Sequence, residues 1–390
     1  MDKPLHILQV NKAYFPHIGG IESVVRTFSK ELQKYPNVEV QVLVCQEKGK
    51  GTEKTVDGVQ VHYASSLGTY FSCPLSLDFF LKFRRLSHWA DVIEFHMPFP
   101  LGDLACLLSR YKGGVVLAWH SDVVRQKTLL RFYGPILKRF LKRADTIIAA
   151  TKGHIDSSYF LSKKEIREKC RIIPYGLNTK AYDSVPKKPI LQQLQMSPNS
   201  VRVLFVGRFV YYKGIEVLLE AFCSVKGCEL FLVGHGTAEI EEKLHQMVAE
   251  AHQEKLIHFM GNLSDEQLRQ AFADCDMFVL PSVANSEAFG IVQMEAMVYG
   301  KPVINTNLPT GVPYVSIHKK TGLTVSVGDA SALGNAIQTL ADDATRRKTY
   351  GDAGRRRVMQ EFEESKVVRQ VYETLETAAQ KHRSTEEESV

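Results

Sequence analysis

The chain has 390 residues, 44% apolar and 24% charged, with a net charge of +6; that length exceeds one ordinary core and points to two domains of about 150–200 residues. The amino end, Met1-Asp-Lys-Pro-Leu-His6, carries no long apolar core or small-residue cleavage site. No apolar run approaches the roughly 20 residues of a membrane span, so neither a signal peptide nor a spanning helix is expected. Seven cysteines, at 45, 73, 106, 170, 223, 228 and 275, are odd in number and contain no C-x-x-C pair. That disfavours a disulfide framework or a structural zinc and suits reduced thiols in the cytoplasm.

In chain order, Leu5 to Val10 is apolar enough for a buried parallel strand. Asn11 to Gly20 forms a loop, and Ile21 to Lys34 reads as a helix with apolar positions at 21, 24, 25, 28 and 32. Gly19 and Gly20 stand where loop enters helix. They serve either a tight turn or close backbone approach to a phosphate. Further strands are expected at Val38 to Val44, Val59 to Tyr63, Val92 to Phe95 and Val115 to Trp119, with helical patterns between several of them. Such alternation is the pattern of a doubly wound parallel sheet. The last of these strands ends in His120-Ser-Asp122, and ligands of such sheets bind beyond the strands' carboxyl ends. His120 is therefore a candidate site residue, although a lone histidine also fits a structural role.

From Arg125 to Arg143 the chain carries Arg125, Lys127, Arg131, Lys138, Arg139, Lys142 and Arg143 with no acid among them. Leucines and aromatic residues are interleaved. This suits an anionic membrane surface or a lipid-linked diphosphate, or simply a solvated basic face. No helix-turn-helix, zinc finger or RNP-type aromatic motif accompanies the charge, so nucleic acid is not the expected partner.

Thr146 to Ala150 and Arg171 to Ile173 are strand-like, and polar, proline-bearing sequence then marks a domain boundary. The pattern restarts with Val201 to Val206, which ends in Gly207-Arg208, and Lys213-Gly214 opens a helix. Two fixed positive charges at the carboxyl end of that strand could neutralise a departing diphosphate. Gly234-His-Gly236 lacks the third glycine of a dinucleotide fingerprint, which rejects an NAD site. Ser264 and Gln267 form a capping-box pair ahead of another helix. Asp274-Cys-Asp276 has the D-x-D form of some metal sites, but its placement between a helix end and a buried strand favours a structural role.

Met277 to Leu280 is a strand, and Ser286 to Glu295 follows as a polar loop containing Gly290 and then a helix from Val292 to Val298. A loop entering a helix presents unpaired N–H groups to an anion. Glu287 lies in the loop and Glu295 eight residues on, about 10 Å deeper at the helical rise. Two acids flanking an anion site suit an extended ligand with a charged middle and hydroxyls at both ends, the shape of a nucleotide sugar. Val303 to Asn305 and three terminal helical patterns complete the chain.

Together, Tyr14-Phe-Pro-His-Ile-Gly-Gly-Ile-Glu22, His120-Ser-Asp122, Gly207-Arg208 with Lys213-Gly214, and the Glu287-x7-Glu295 element resemble retaining nucleotide-sugar glycosyltransferases of the GT-B fold. That fold has two Rossmann-like α/β domains facing across a cleft. Trp119 to Lys127 and Thr310 to Ser316 are similar to bacterial transferases, often mannosyl, of surface-polysaccharide assembly. The resemblance implies an acceptor-side domain over 1–180, a nucleotide-sugar domain over 198–361 and a helix over 362–382 crossing back to the first. It implies that Gly19 and Gly20 approach the donor diphosphate and that Arg208 and Lys213 hold it. Glu287 would bond sugar hydroxyls, with the N–H groups of Phe289 to Val292 nearby, and Glu295 the ribose. His120 would sit against the transferred sugar. Asp122, Arg125, Lys127, Arg139, Lys142 and Arg143 are expected to meet the acceptor or the membrane.

The family needs no metal or other cofactor. The expectation is a cytoplasmic enzyme, peripheral at the inner membrane face, moving a hexose, foremost mannose from GDP-mannose, onto a lipid-linked saccharide of O-antigen or exopolysaccharide. A UDP-sugar donor, a same-fold epimerase and an inactive nucleotide-binding scaffold are the alternatives.

Overall fold

The computed structural model describes residues 3–17, 19–70, 73–122, 127–183, 189–194 and 197–387, with 127–132 and 385–387 as backbone only. The chain divides into two compact units, Met1–Tyr175 with Ser365–Val390, and Gly176–Glu364.

The first unit is built on a sheet in the order β10-β9-β8-β7-β1-β2-β4-β3. The strands are β1 (Leu5–Val10), β2 (Val38–Cys45), β3 (Thr52–Val56), β4 (Val59–Ala64), β7 (Val92–Met97), β8 (Gly114–Trp119), β9 (Thr146–Ala149) and β10 (Cys170–Ile172). All neighbours are parallel except β3, which runs antiparallel to β4 at the sheet edge. A two-stranded hairpin, β5 (Thr69–Tyr70) with β6 (Cys73–Pro74), stands apart from this sheet. The helices named below are α1 (Gly20–Leu32), α2 (Asp78–Trp89), α3 (Pro100–Ser109) and α4 (Lys127–Arg143).

Strands β7 and β8 are buried along their whole length, because helices cover both faces of a parallel sheet. One face carries Leu8, Val10, Ile93, Phe95, Met97, Val115, Leu117 and Trp119, packed against Phe79, Phe83, Phe99 and Phe140. Helix α1 turns Val24, Val25, Phe28 and Leu32 inward, as its apolar spacing requires. The last helix, Glu364–Glu387, belongs to this unit. It buries Val367, Val368, Val371, Leu375, Ala378 and Ala379. Its polar edge ties down through Arg171 to Thr374 (2.8 Å), His382 to Asp145 (2.9 Å) and Arg383 to Asp91 (2.7 Å).

The second unit holds a fully parallel sheet in the order β13-β12-β11-β14-β15-β16. Its strands are β11 (Val201–Val206), β12 (Cys228–Val233), β13 (Ile257–Gly261), β14 (Met277–Leu280), β15 (Val303–Thr306) and β16 (Gly322–Val325). Strand β11 pairs with β12 on one side and β14 on the other, so the order reverses there. Loops leaving the two strands diverge at that switch point, which leaves a crevice at their carboxyl ends. Ser264 and Gln267 cap the helix Asp265–Asp274 reciprocally. Leu177 N donates to Phe362 O and Glu364 N to Leu177 O, which ties the segment after Tyr175 to the end of the second unit. No helix among the described residues is long and apolar enough to cross a membrane.

Candidate active site

In the second unit, the loop after β11 carries Arg208 and Lys213, and the loop after β14 carries Ser282 and Glu287. These loops are joined by Val283 N donating to Tyr212 O (2.8 Å). Lys213 Nζ donates to Glu287 Oε2 at 2.5 Å, with side-chain exposures of 12% and 10%. Ser282 Oγ donates to the same oxygen (3.2 Å). The expectation gave these two residues separate ligand contacts; the structure pairs them with each other, since two opposite charges this poorly hydrated stabilise one another best in contact. Arg208 is exposed, and among the described residues its side chain hydrogen-bonds Tyr212 Oη alone, at 3.5 Å, so its guanidinium is available to a ligand.

Gly290 adopts φ +76°, a left-handed turn that lets the chain enter the helix Val292–Val298. The N–H groups of Gly290 and Ile291 make no hydrogen bond among the described residues. The Phe289 ring is buried against Tyr314 and Phe362, so only its backbone faces the loop. Glu295 lies in the helix's first turn and accepts a hydrogen bond from Tyr182 Oη at 2.8 Å. Burial raises its pKa to about 7, against the lowering effect of that bond. Tyr182 was not foreseen; a tyrosine in a proline-bearing boundary segment carries no signal in sequence.

Arg202 reaches Asp274 (2.7 Å) and Asp276 (2.9 Å) through its guanidinium, and Asp274 Oδ2 accepts the N–H groups of Leu191 and Gln192. The D-x-D segment is a structural clamp. Among the described residues no group of three or more His, Cys, Asp or Glu is arranged to hold a metal ion.

In the first unit, His120 stands just past β8 and is 4% exposed. Its Nδ1 lies 2.6 Å from Tyr175 Oη and its Nε2 2.9 Å from His96 Nδ1. Burial, and then the nearby His154, lower its pKa to about 3, so the ring is neutral. Both ring nitrogens are engaged within the unit, by His96 and Tyr175. Gly19 is extended and caps α1, and the Glu22 carboxylate lies over it. Gly20 has open space where a side chain would start. A pocket of about 440 Å³ opens at the carboxyl ends of β1, β2 and β4, lined in part by Lys12, Tyr14, His17, Gln46 and Tyr63.

Two residues expected to meet acceptor or membrane are occupied elsewhere. Asp122 accepts from Trp119 Nε1 (3.0 Å) and Ser158 Oγ (2.7 Å), pinning the loop after β8. Arg143 donates to the carbonyls of Tyr111 (3.1 Å) and Gly113 (2.6 Å). Arg139 and Lys142 are exposed, Lys142 near Glu165 (3.2 Å). Arg125 lies outside the described residues, and Lys127 is described in its backbone alone. The apolar side of α4, with Leu137, Phe140 and Leu141, is buried in the core. It cannot enter a bilayer without unfolding the unit. Exposed apolar side chains sit elsewhere, at Leu67 (77%), Tyr70 (59%), Leu77 (83%) and Leu81 (72%), around the hairpin and the start of α2.

Residues 187–357 match the family model described as glycosyl transferases group 1, and residues 18–181 match glycosyltransferase family 4. The D-rhamnosyltransferase WbpZ of Pseudomonas aeruginosa is 32% identical over 92% of each chain. The chain belongs to the group 1 glycosyltransferases. An O-antigen chain mannosyltransferase of Escherichia coli is 30% identical over 92% of this glycosyltransferase and 94% of its own length. Among solved structures, sucrose-phosphate synthase from Thermosynechococcus elongatus superposes with a TM-score of 0.75 at 22% identity, covering 96% and 98% of the two chains. Anabaena HepE in complex with UDP gives 0.75 at 22%, covering 96% and 100%. At these identities the structural likeness establishes the GT-B fold of the transferase.

Proposed function

We propose that this glycosyltransferase is a retaining hexosyltransferase that carries mannose from GDP-mannose to a lipid-linked saccharide in surface-polysaccharide assembly. The observation that carries the donor site is the Lys213–Glu287 pair with Arg208 beside it, at the carboxyl ends of the strands where the second sheet reverses order. In this reading Arg208 and Lys213 take the diphosphate. Glu287, relieved of part of its lysine contact, accepts sugar hydroxyls, and Glu295 exchanges Tyr182 for ribose hydroxyls. Gly19, Gly20 and His120 are assigned to the donor by the resemblance. Mannose rests on the mannosyltransferase relative, and acceptor binding on the pocket beside Lys12 and Tyr14. D-Rhamnose, a mannose lacking its 6-hydroxyl, is the second reading, favoured by the D-rhamnosyltransferase relative.

The reaction breaks the bond between the anomeric carbon and the diphosphate oxygen and forms one to the acceptor oxygen on the same face. The acceptor proton passes to the departing phosphate. Arg208 and Lys213 stabilise the charge that develops there, and no covalent enzyme intermediate is needed. The test is mass spectrometry of purified protein with GDP-mannose, GDP-D-rhamnose and UDP-glucose, each with a polyprenyl-diphosphate-linked acceptor. Mannosyl transfer is expected. Transfer from UDP-glucose alone would overturn the donor, and donor interconversion without acceptor would indicate an epimerase.

Glu295 makes donor binding pH-dependent. Its carboxyl ionises near 7 in place of the ordinary 4.5. Between those values the folded chain holds a proton that the unfolded chain has released, so this group's contribution to stability falls as pH rises through the window. Donor affinity runs the opposite way, since the ionised carboxylate is the better acceptor for ribose hydroxyls. Isothermal titration should show donor binding tightening as pH rises through about 7, a dependence that Glu295→Gln abolishes.

Peripheral binding to an anionic bilayer is part of the same proposal. The exposed Lys138, Arg139 and Lys142 supply attraction of about 1 kcal/mol each near a charged surface, and Leu67, Tyr70, Leu77 and Leu81 supply apolar contact. In vesicle sedimentation, changing the three basic residues to Glu should remove the dependence on anionic lipid. Changing Leu77 and Leu81 to Ser should weaken binding at any lipid charge. Binding unaffected by both would rule out this surface.

A further inference from the structure

A line of polar side chains crosses the interior of the first sheet. Gln9 on β1, Glu94 and His96 on β7, and His120 after β8 are 0%, 0%, 1% and 4% exposed. Gln9 pairs with Glu94 in register, and His96 lies two residues on, so all project from the same sheet face. The opposite face of these strands is apolar apart from His6 at the start of β1. Burying four polar groups where valine or isoleucine would pack costs stability, and Glu94 Oε1 has no hydrogen-bond partner among the described residues. Such a cost suggests function.

The line has a direction. Gln9 Nε2 donates to Glu94 Oε2 (2.7 Å), so Gln9 Oε1 must accept from His96 Nε2–H (2.7 Å). Burial keeps both histidines neutral, and a neutral imidazole has one donor and one acceptor. His96 Nδ1 therefore accepts from His120 Nε2–H, and His120 Nδ1 accepts from the Tyr175 hydroxyl. The two imidazoles are nearly coplanar (8°) with centroids 5.2 Å apart, meeting edge to edge as an in-plane lone pair demands. Protonating Glu94 permits every link to reverse. The acid would donate to a flipped Gln9 amide, whose NH2 would donate to His96, and His120 would donate from Nδ1 to Tyr175.

We propose that Gln9, Glu94 and His96 are positioning residues that fix which nitrogen of His120 carries the proton, and with it the direction of the Tyr175 hydroxyl. The consequence for sugar transfer rests on the function proposed above; the control of the tautomer does not. Burial raises the Glu94 carboxyl to about 7, so the reversal falls within an accessible pH range. Among the described residues, the titratable groups that couple to the line are His96, His120, His154 and Tyr175, none of them a carboxylate or a fixed cation.

The experiment is nitrogen-15 NMR of the full chain labelled in histidine, which reads the protonated ring nitrogen directly. Wild-type His120 should be the Nε2–H tautomer well above pH 7 and shift toward Nδ1–H well below it. Glu94→Gln, whose amide can face either way, should give both tautomers at every pH. Glu94→Gln should also lower kcat by about tenfold to a hundredfold, with the donor KM unchanged and the pH step in kcat gone. One His120 tautomer across pH in both proteins would overturn the proposal, and the wild-type titration decides this even if the variant does not fold. A tautomer that responds while kcat does not would overturn the positioning role alone. Absence of transfer from every donor would count against the proposed function and leave the tautomer result standing.

Discussion

Lys213→Ala should lower sugar transfer by about a hundredfold to a thousandfold, the usual cost of removing one preorganised group that stabilises a departing anion. It should also destabilise the protein by about 3 kcal/mol, because Glu287 is left with a charge that is barely hydrated and has lost its ion partner. The two effects separate in a double variant. Lys213→Met with Glu287→Leu removes both charges together, so no uncompensated ion remains and thermal stability should return close to wild type. Transfer should stay lost, since both the diphosphate ligand and the hydroxyl acceptor are gone. Thermal denaturation with initial rates at saturating donor measures both. Recovery of transfer in the double variant would show that the pair is structural.

Gly214→Ala should be nearly as damaging, for a reason of backbone geometry. Gly214 has φ +69°, and a Cβ there would sit 2.1 Å from Pro281 O and 3.0 Å from Val283 Cγ1. The left-handed conformation alone costs an alanine about 1 kcal/mol. The clash is with backbone, so relieving it means displacing the loop after β14. That loop carries Ser282, which donates to Glu287, and Val283, which is held to Tyr212. A combined loss of about 3 kcal/mol is expected, with transfer down tenfold or more. A variant with wild-type melting and rates would show that the two loops move freely of one another.

Much of the fold was legible because the central strands are short, continuous apolar runs between polar links. Strand β3 was missed: Thr52–Val56 is an edge strand with four of its five residues exposed, so its pattern is that of a loop. Strand β16, Gly322–Val325, is only four residues long and opens on a glycine. The basic helix was recognised as amphipathic, but periodicity cannot say what covers an apolar face. In the fold the core covers it.

The site was legible in its types and not in its pairings. Glu287, Glu295, Arg208 and Lys213 stand out by their place after strands and glycines. Yet Lys213 and Glu287 are 74 positions apart, and nothing local says that they meet. Asp122 and Arg143 bore the right charge for a ligand and are spent on Trp119, Ser158 and two carbonyls. The buried line through Gln9, Glu94 and His96 did leave a trace. An acid and a histidine two residues apart inside an otherwise apolar strand are out of place, and β1 carries one amide facing them.

The most direct measurement is the anomeric configuration of the newly formed glycosidic bond. It is read by proton NMR on the product of purified enzyme, GDP-mannose and a lipid-linked acceptor. The account predicts an α-linked mannose, the configuration of the donor retained. A β-linked product, or no transfer to acceptor from any nucleotide sugar by a protein that is folded, would contradict it.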